Sequence, residues 1–293
     1  GGTRGVAGGA GHPSHYNIID YVTIDSTGNA IDFGDLSSTP RFLATCSSRS
    51  RGIFAGGYVA PGAVNTIEFI TIASTGDAAN FGDLTSAKWG IAGVSNDTRG
   101  IFGGSGPTIT NTMDFITIAS TGDAVNFGDL TVARREPAAC GSSTRGLYGA
   151  GVAPTNTNSI DFITISTQGN ASDFGDLVVT ETRRAASSNS IRGIFGGGGS
   201  PSITDAMEYV TISTLGNAVD FGNLTSARDD LGSCSSSTRT LFLGGDANPA
   251  GTDNSDIIDY VQIMSTGDAV DFGNLTQARG EGLAALSNGH GGL

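Results

Sequence analysis

Eighteen charged positions recur so regularly that any chemistry they perform would be performed six times over. Carboxylates stand at Asp20, Glu68, Asp114, Asp161, Glu208 and Asp259, each followed by Tyr or Phe. Basic residues stand at Arg41, Lys88, Arg134, Arg183, Arg228 and Arg279, and a second basic set at Arg4, Arg51, Arg99, Arg145, Arg192 and Arg239. Two carboxylates can share acid and base work, or open a glycosidic bond, only where their environments drive the two roles apart. Six equivalent carboxylates lack that asymmetry. Sites are exceptions grafted on a fold, so this pattern points to ion pairs linking repeated units, and the chain reads as a non-enzyme with no catalytic residues.

The remaining chemistry-bearing residues fare no better. His12 and His15 stand close together while His290 falls at the opposite end of its unit, and catalytic zinc wants three protein ligands. Calcium loops alternate Asp and Asn oxygens and close with Glu. The recurring Asp35, Asp83, Asp129 and Asp176, which become Asn223 and Asn274, do not follow that spacing and read as turn-capping side chains. No metal or cofactor is expected. Cys46, Cys140 and Cys234 occupy the same position in alternate units, too far apart for a disulfide, and read as small buried hydrophobes. No Gly-x-Ser-x-Gly elbow has a histidine to serve it.

The chain carries 28 acidic and 15 basic residues for a net charge of −13. The bases are spread evenly through the repeats, so no basic stripe for nucleic acid can be assembled. No apolar run approaches the roughly 18 residues of a membrane span, and a soluble chain without membrane insertion is expected. Gly at 46 residues could suggest disorder, but apolar residues recur in phase, which low-complexity tracts lack.

The elements that must position these residues are six copies of one unit, beginning near residues 19, 67, 113, 160, 207 and 258. From the acidic residue to the glycine of Phe-Gly (Gly34, Gly82, Gly128, Gly175, Gly222, Gly273) the interval is always 14 residues. From that glycine to the next Arg of the second set it is 17 in each of the five complete cases. A period of about 48 residues is that of a four-stranded propeller blade. Each unit reads as an Arg-Gly-Ile-Phe-Gly-Gly strand, a loop, an Asp-Phe-Ile-Thr-Ile strand, a Thr-Gly-Asp/Asn turn, a strand ending Phe-Gly-Asp-Leu, and a small-residue strand. The last unit lacks an Arg-Gly strand, and residues 4–9 supply one. The expectation is a single all-β domain over residues 1–293: a six-bladed propeller of four antiparallel strands per blade, closed in one blade by residues 280–288 with residues 4–36. Closure removes sheet edges.

An apolar strand ending in Gly-Gly, an acidic-aromatic strand and a following Arg resemble the kelch repeat over the whole chain. The matching pairs are Gly8-Gly9, Gly56-Gly57, Gly103-Gly104, Gly196-Gly197 and Gly244-Gly245, with Gly149-Ala150 a departure. Where kelch units carry Trp, this chain has Phe33, Phe81, Phe127, Phe174, Phe221 and Phe272. Copper enzymes resembling kelch propellers use Tyr and His ligands, and no such His set occurs here. The glycine-rich style also resembles repeat proteins of tailed bacteriophages, which implies a virion appendage.

All length variation falls in the loop between second and third strands, and each of these loops carries one proline. A rigid scaffold with one rim of divergent, proline-stiffened loops suits binding. The candidate contacts are His12, His15, Tyr16, Tyr58, Thr108, Thr110, Asn156, Ser202, Thr204, Asn248 and Asp253. Their hydroxyls and amides suit a cell-surface glycan or protein, or another virion protein. The leading expectation is a virion or extracellular binding module. An intracellular, cytoplasmic kelch-like adaptor is the alternative, and a propeller lyase or hydrolase with its site at the ring centre the third reading. The chain opens Gly1-Gly2-Thr3, which leaves room for a larger parent protein and for oligomerisation through it.

Overall fold

Short runs of β-branched and aromatic residues punctuated by glycine form strands, and every regular element among the described residues is one. The computed structural model describes residues 3–11, 14–200, 202–248 and 253–293. They build six four-stranded antiparallel sheets arranged as the blades of a propeller, with two small two-stranded ribbons in the loops. In the second blade the order from the axis outward is Ala44–Ser47, Arg51–Ala55, Thr66–Thr71 and Ala79–Asp83. The next four blades repeat it from inner strands Ala92–Ser95, Ala138–Gly141, Ala185–Ser188 and Gly232–Ser235. In the first blade the inner strand Ala284–Ser287 pairs with Arg4–Gly8, and Ile18–Thr23 and Ile31–Asp35 follow outward. The expected six blades and three-plus-one closure are the observed fold.

The constant 14-residue interval has two physical causes. In every blade the pairing of third and outer strands shifts register at the acidic residue, so that Ile19 pairs with Gly34 but Asp20 with Asp32. Phe33 is the extra residue of a β-bulge, which turns its ring into the core, where it is 2% exposed. Equivalent bulges place Phe81, Phe127, Phe174, Phe221 and Phe272. Each ring meets the aromatic residue of its own third strand edge-on, as Phe115 meets Phe127 at 5.9 Å.

The second cause is an interlock. The turn after the third strand is not a free hairpin loop but lies along the outer strand of the preceding blade. Gly76 and Ala78 donate their N–H groups to the carbonyls of Phe33 and Asp35 at 2.8 Å each. Asp77 Oδ1 accepts the Asp35 N–H at 3.0 Å, and Asp123, Asn170, Asn217, Asp268 and Asn29 do the same for their neighbours. The capping oxygens therefore belong to the turn residue and not, as the sequence suggested, to Asp35 and its equivalents, whose N–H groups are what is capped. The contact is so close that a Cβ on Gly175 would sit 2.6 Å from the Gly216 carbonyl.

A repeat that cannot bury its own apolar face must share its core. The six hydrophobic clusters each span two adjacent blades, as where Cys46, Ile53 and Phe81 meet Phe102, Ile116 and Ile118. The first and sixth blades are joined likewise by Val22 and Ile24 with Leu241 and Phe272. The second set of arginines staples the same seams. Arg99 lies over the Phe115 ring at 4.6 Å and donates Nη1 to the Ile165 carbonyl of the next blade at 3.1 Å. All six do this in turn, closing with Arg239 over Tyr260 and onto the Ile24 carbonyl.

Candidate functional site at the axial mouth

Each blade is entered by a segment that crosses from the preceding outer strand, and in five blades a buried ion pair anchors it. Lys88 pairs with Asp114 at 2.8 Å, Arg134 with Asp161 at 3.3 Å, Arg228 with Asp259 at 2.6 Å and Arg279 with Asp20 at 2.5 Å. Arg228 also donates to the Ile257 carbonyl, so its charge is held by backbone as well. These pairs lie within the entered blade, and the link between blades is a hydroxyl: Thr131 of the outgoing blade donates to Asp161 at 2.6 Å. Burial lowers the pKa of Arg134, Arg228 and Arg279, with the partner carboxylates opposing.

Two expected members of this set do something else. In the fifth blade Arg184, not Arg183, reaches the repeat carboxylate, Glu208, at 2.8 Å. In the second blade Pro40 stands at the anchoring position, Glu68 accepts the Ser37 N–H at 3.1 Å, and Arg41 turns to Glu281. Of the 15 basic residues, the six seam arginines and five anchors are thus structural. Arg41, Arg135 and Arg183 are left at one end of the ring, and Arg49 at the other, exposed beside Asp97 at 3.7 Å.

The end that carries Arg41, Arg135 and Arg183 is also the end of the second-to-third strand loops. In five blades the residue just after the anchoring position, which Glu181 occupies in the fifth blade, forms a bridge with the loop above it: Arg41 with Tyr58, Trp89 with Gly106, Arg135 with Val152, Thr182 with Gly199 and Asp229 with Asp246. The residue after that turns into the left-handed conformation round the mouth of the central channel. Phe42, Gly90, Glu136, Arg183, Asp230 and Glu281 have φ between 50° and 64°, a region costly for any residue but Gly and tolerated where surroundings enforce it. Backbone bonds between blades enforce it here: Gly90 N–H to the Phe42 carbonyl at 2.9 Å, Glu136 to Gly90 at 2.7 Å and Asp230 to Arg183 at 3.0 Å.

Sixfold sameness ends at these twelve positions. On one side Tyr58, Arg41, Phe42, Trp89 and Arg135 form a continuous ladder. Arg41 lies 4.9 Å from the Tyr58 ring and 5.5 Å from Phe42, Phe42 lies 5.5 Å from Trp89, and Arg135 lies 5.4 Å from Trp89. On the other side carboxylates crowd. Arg183 holds Asp229 at 2.7 Å and Asp230 at 3.5 Å. Burial pushes the Asp229 carboxyl up to about 6, against the pull of Arg183. Burial also raises Asp230 well above the carboxylate range, with Asp229, Glu136 and Glu281 adding to the shift. Glu136 is raised by burial while Arg135 and Arg183 oppose.

Below the mouth lies a cavity of about 170 Å³ on the ring axis. Its wall is one layer of small half-exposed residues, Thr45, Gly93, Ala139, Ala186, Ser233 and Ala285. The Cys46, Cys140 and Cys234 thiols are buried between blades as expected, and burial raises the last two to about 12. Deeper, a belt of serines ties inner strand to inner strand. Ser47 donates to the Ser287 carbonyl at 2.7 Å, Ser287 to Ser235, Ser235 to Ser188 at 2.8 Å and Ser188 to Gly141 at 2.7 Å. Residues 288–293 cross beneath. His290 sits across the axis: Nδ1 accepts the Gly292 N–H at 3.1 Å, which leaves the proton on Nε2 to donate to the Ser47 carbonyl at 3.2 Å. Burial holds this imidazole down to about 4.

The loop residues singled out from sequence do lie on the mouth face, but several are occupied. Tyr58 is in the ladder. Asn156 donates to the Ser200 carbonyl of the next loop at 2.9 Å, and Thr110 shares a hydroxyl contact with Thr112 at 3.1 Å. Thr204 accepts the Ala206 N–H at 3.1 Å. Asp246 Oδ1 accepts N–H groups from Asn248 at 2.8 Å and from Asp253 at 3.3 Å. His15 bridges to Gly11, and Tyr16 donates its N–H to Ala10 at 2.9 Å. Thr108, Ser202 and Asp253 are exposed. His12, Pro13, Pro201 and residues 249–252 lie outside the described residues. Reading the two residues after each anchor, Arg-Phe, Trp-Gly, Arg-Glu, Thr-Arg, Asp-Asp and Gly-Glu, would have exposed the mouth as a second divergent rim.

Among the described residues no helix is long and apolar enough to cross a membrane. No protein-family model matches the chain, and no curated protein matches it.

Proposed function

We propose that this propeller is a non-enzymatic binding module, a phage virion appendage or adhesin domain, that recognises a cell-surface glycan or protein with its mouth face. The observation that carries the reading is where the repeat stops repeating. Core, seams and interlock are alike in six blades, whereas loops and mouth residues on one face differ in every blade. A scaffold so uniform gives each divergent position a fixed place, which lowers the ordering cost of recognition. The Tyr58, Arg41, Phe42, Trp89, Arg135 ladder supports a glycan ligand, since aromatic faces and planar polar groups together match a sugar's C–H face and its hydroxyls. At the mouth Asp229 and Asp230 are held by Arg183, which supports a structural role for them.

The test is a glycan array and a panel of bacterial cells probed with the labelled domain. Binding is expected, with Trp89→Ala and Tyr58→Ala each weakening it by tenfold or more at unchanged melting temperature. Loss of binding from Thr121→Ala and Thr75→Ala at the opposite end, with the ladder variants unaffected, would overturn the assignment.

A further inference from the structure

Two layers of inner-strand residues line the axial well, and they differ in how their peptide groups are satisfied. In an antiparallel pair, residues alternate between those bonded to the partner strand and those whose N–H and C=O turn away from it. In the second blade the Ser48 N–H bonds to the Arg51 carbonyl at 2.9 Å, which closes the hairpin and fixes that alternation. Ser47 and Thr45 therefore turn their backbone groups away from the second strand, toward the axis. Equivalent closures at Asn96, Ser142, Asn189, Ser236 and Asn288 repeat the arrangement in the other blades.

In the deeper layer the serine belt meets these groups. Ser95 Oγ accepts the Ser47 N–H at 3.1 Å and donates to the Ser47 carbonyl at 2.8 Å, and Ser188 Oγ serves Gly141 likewise at 3.0 and 2.7 Å. One level up stand Thr45, Gly93, Ala139, Ala186, Ser233 and Ala285, where only two hydroxyls remain. Thr45 donates to the Ala285 carbonyl at 2.6 Å. The Ser233 hydroxyl, and the other peptide groups of this level that turn from the second strand, have no side-chain partner among the described residues. Unpaired peptide groups in an interior are costly, so their partners must come from whatever occupies the well. Its volume of about 170 Å³ has room for some five or six waters at ~30 Å³ each, the bulk of one sugar ring.

The charged groups at the mouth ask for no counter-ion: Arg41 holds Glu281, Arg135 lies 3.7 Å from Glu136, and Arg183 holds Asp229 and Asp230. A fitting occupant is neutral and must both donate and accept around a ring, as hydroxyls do. The well is also blind, because His290 crosses the axis beneath it and bonds to the Ser47 carbonyl. Phe42 belongs both to the aromatic ladder and to the lining of the well, so a glycan lying on the ladder can enter only with its end. We propose that the axial well takes the terminal, non-reducing monosaccharide of a neutral glycan. Its hydroxyls meet Ser233 and the peptide groups of that level, and its C–H faces meet the methyls of Ala139, Ala186 and Ala285. This rests on the surface reading above and sharpens it, since a blind well selects chain ends over repeats within a chain.

Saturation-transfer NMR and calorimetric titration of the intact chain with the methyl glycosides of glucose, galactose, mannose and N-acetylglucosamine test the proposal, with methyl glucuronoside as the charged counterpart. Saturable one-to-one binding of at least one neutral glycoside is expected, with the glucuronoside at least tenfold weaker. Ala186→Leu, which fills the well, should abolish that binding, and Ser233→Ala should weaken it about threefold. Ala139→Leu fills the same space should Ala186→Leu fail to fold. Binding of no neutral glycoside, which would leave the well to solvent, an equally bound glucuronoside, or undiminished binding in a folded filled-well variant would each overturn it. Array glycans bound equally by the natural chain and by folded Ala186→Leu would defeat the well and leave the surface reading standing. Glycoside binding without any array binding would defeat the surface reading alone.

Discussion

Arg228 and Arg41 are both arginines close after a Phe-Gly strand, yet only one is structural. Arg228 and Asp259 have side chains 0% exposed, so removing either leaves a buried charge alone. Asp259→Ala is expected to cost about 3–5 kcal/mol in urea denaturation. Arg41 and Glu281 keep 22% and 23% of their side-chain surface, and Arg41→Ala should cost no more than about 1 kcal/mol. Two titrations run in opposite directions. The native pKa of His290, about 4, lies below the ordinary 6.5. Between those values the unfolded chain takes up a proton that the native state refuses. Stability from this group is complete above 6.5 and drains away as pH falls, by about 2–3 kcal/mol over the window. His290→Gln should flatten that slope. Asp229 is held up at about 6 against an ordinary 3.8, so its contribution is present at low pH and lost as pH rises through 6. Asp229→Asn should therefore gain stability relative to the natural chain as pH rises from 4 to 7, read from urea midpoints at each pH. A gain that shrinks over that range would refute the assignment.

At the scale of the strand and turn, the glycine of Phe-Gly is held by its neighbour and not by its own turn. Gly175 combines φ of 144° with a carbonyl 2.6 Å from where a Cβ would stand. Gly175→Ala is expected to destabilise by roughly 2–4 kcal/mol, strain and displacement together, whereas Asn217→Ala, which loses one exposed hydrogen bond to Asp176, should cost about 1 kcal/mol. Thermal melts of the two variants separate interlock from capping. The strands, their order and the closure were legible in the sequence, because bulge and interlock allow no insertion between acidic residue and glycine. The mouth was half legible. Variable loop lengths marked the face on which the mouth opens, but the divergent pairs after each anchoring position sit within fixed intervals, where length carries no signal. Arg183 and Arg41 depart from their expected pairing for the same reason: position in the repeat does not by itself fix role. Only the third dimension shows Arg184 reaching Glu208 and Pro40 standing where a cation would be. His290 on the axis was hidden because nothing in the repeat predicts the path of the chain beyond its last inner strand.

At the scale of the whole ring, seams of equal build make stability a cooperative property of closure. Removing residues 284–293 would uncover the Arg4–Gly8 edge and the shared cluster holding Val6 and Leu286. Such a variant should aggregate or unfold in several steps, whereas the full chain is expected to melt in one. The same uniformity is what gives the one divergent face its meaning, since most of every blade is committed to its neighbours. Hydrogen–deuterium exchange with and without a glycan identified on the array tests that claim most directly. Added protection is expected in segments 41–42, 58–59, 89–90 and 135–136. Protection confined to the turns at 26–29, 74–77 and 120–123 would contradict it.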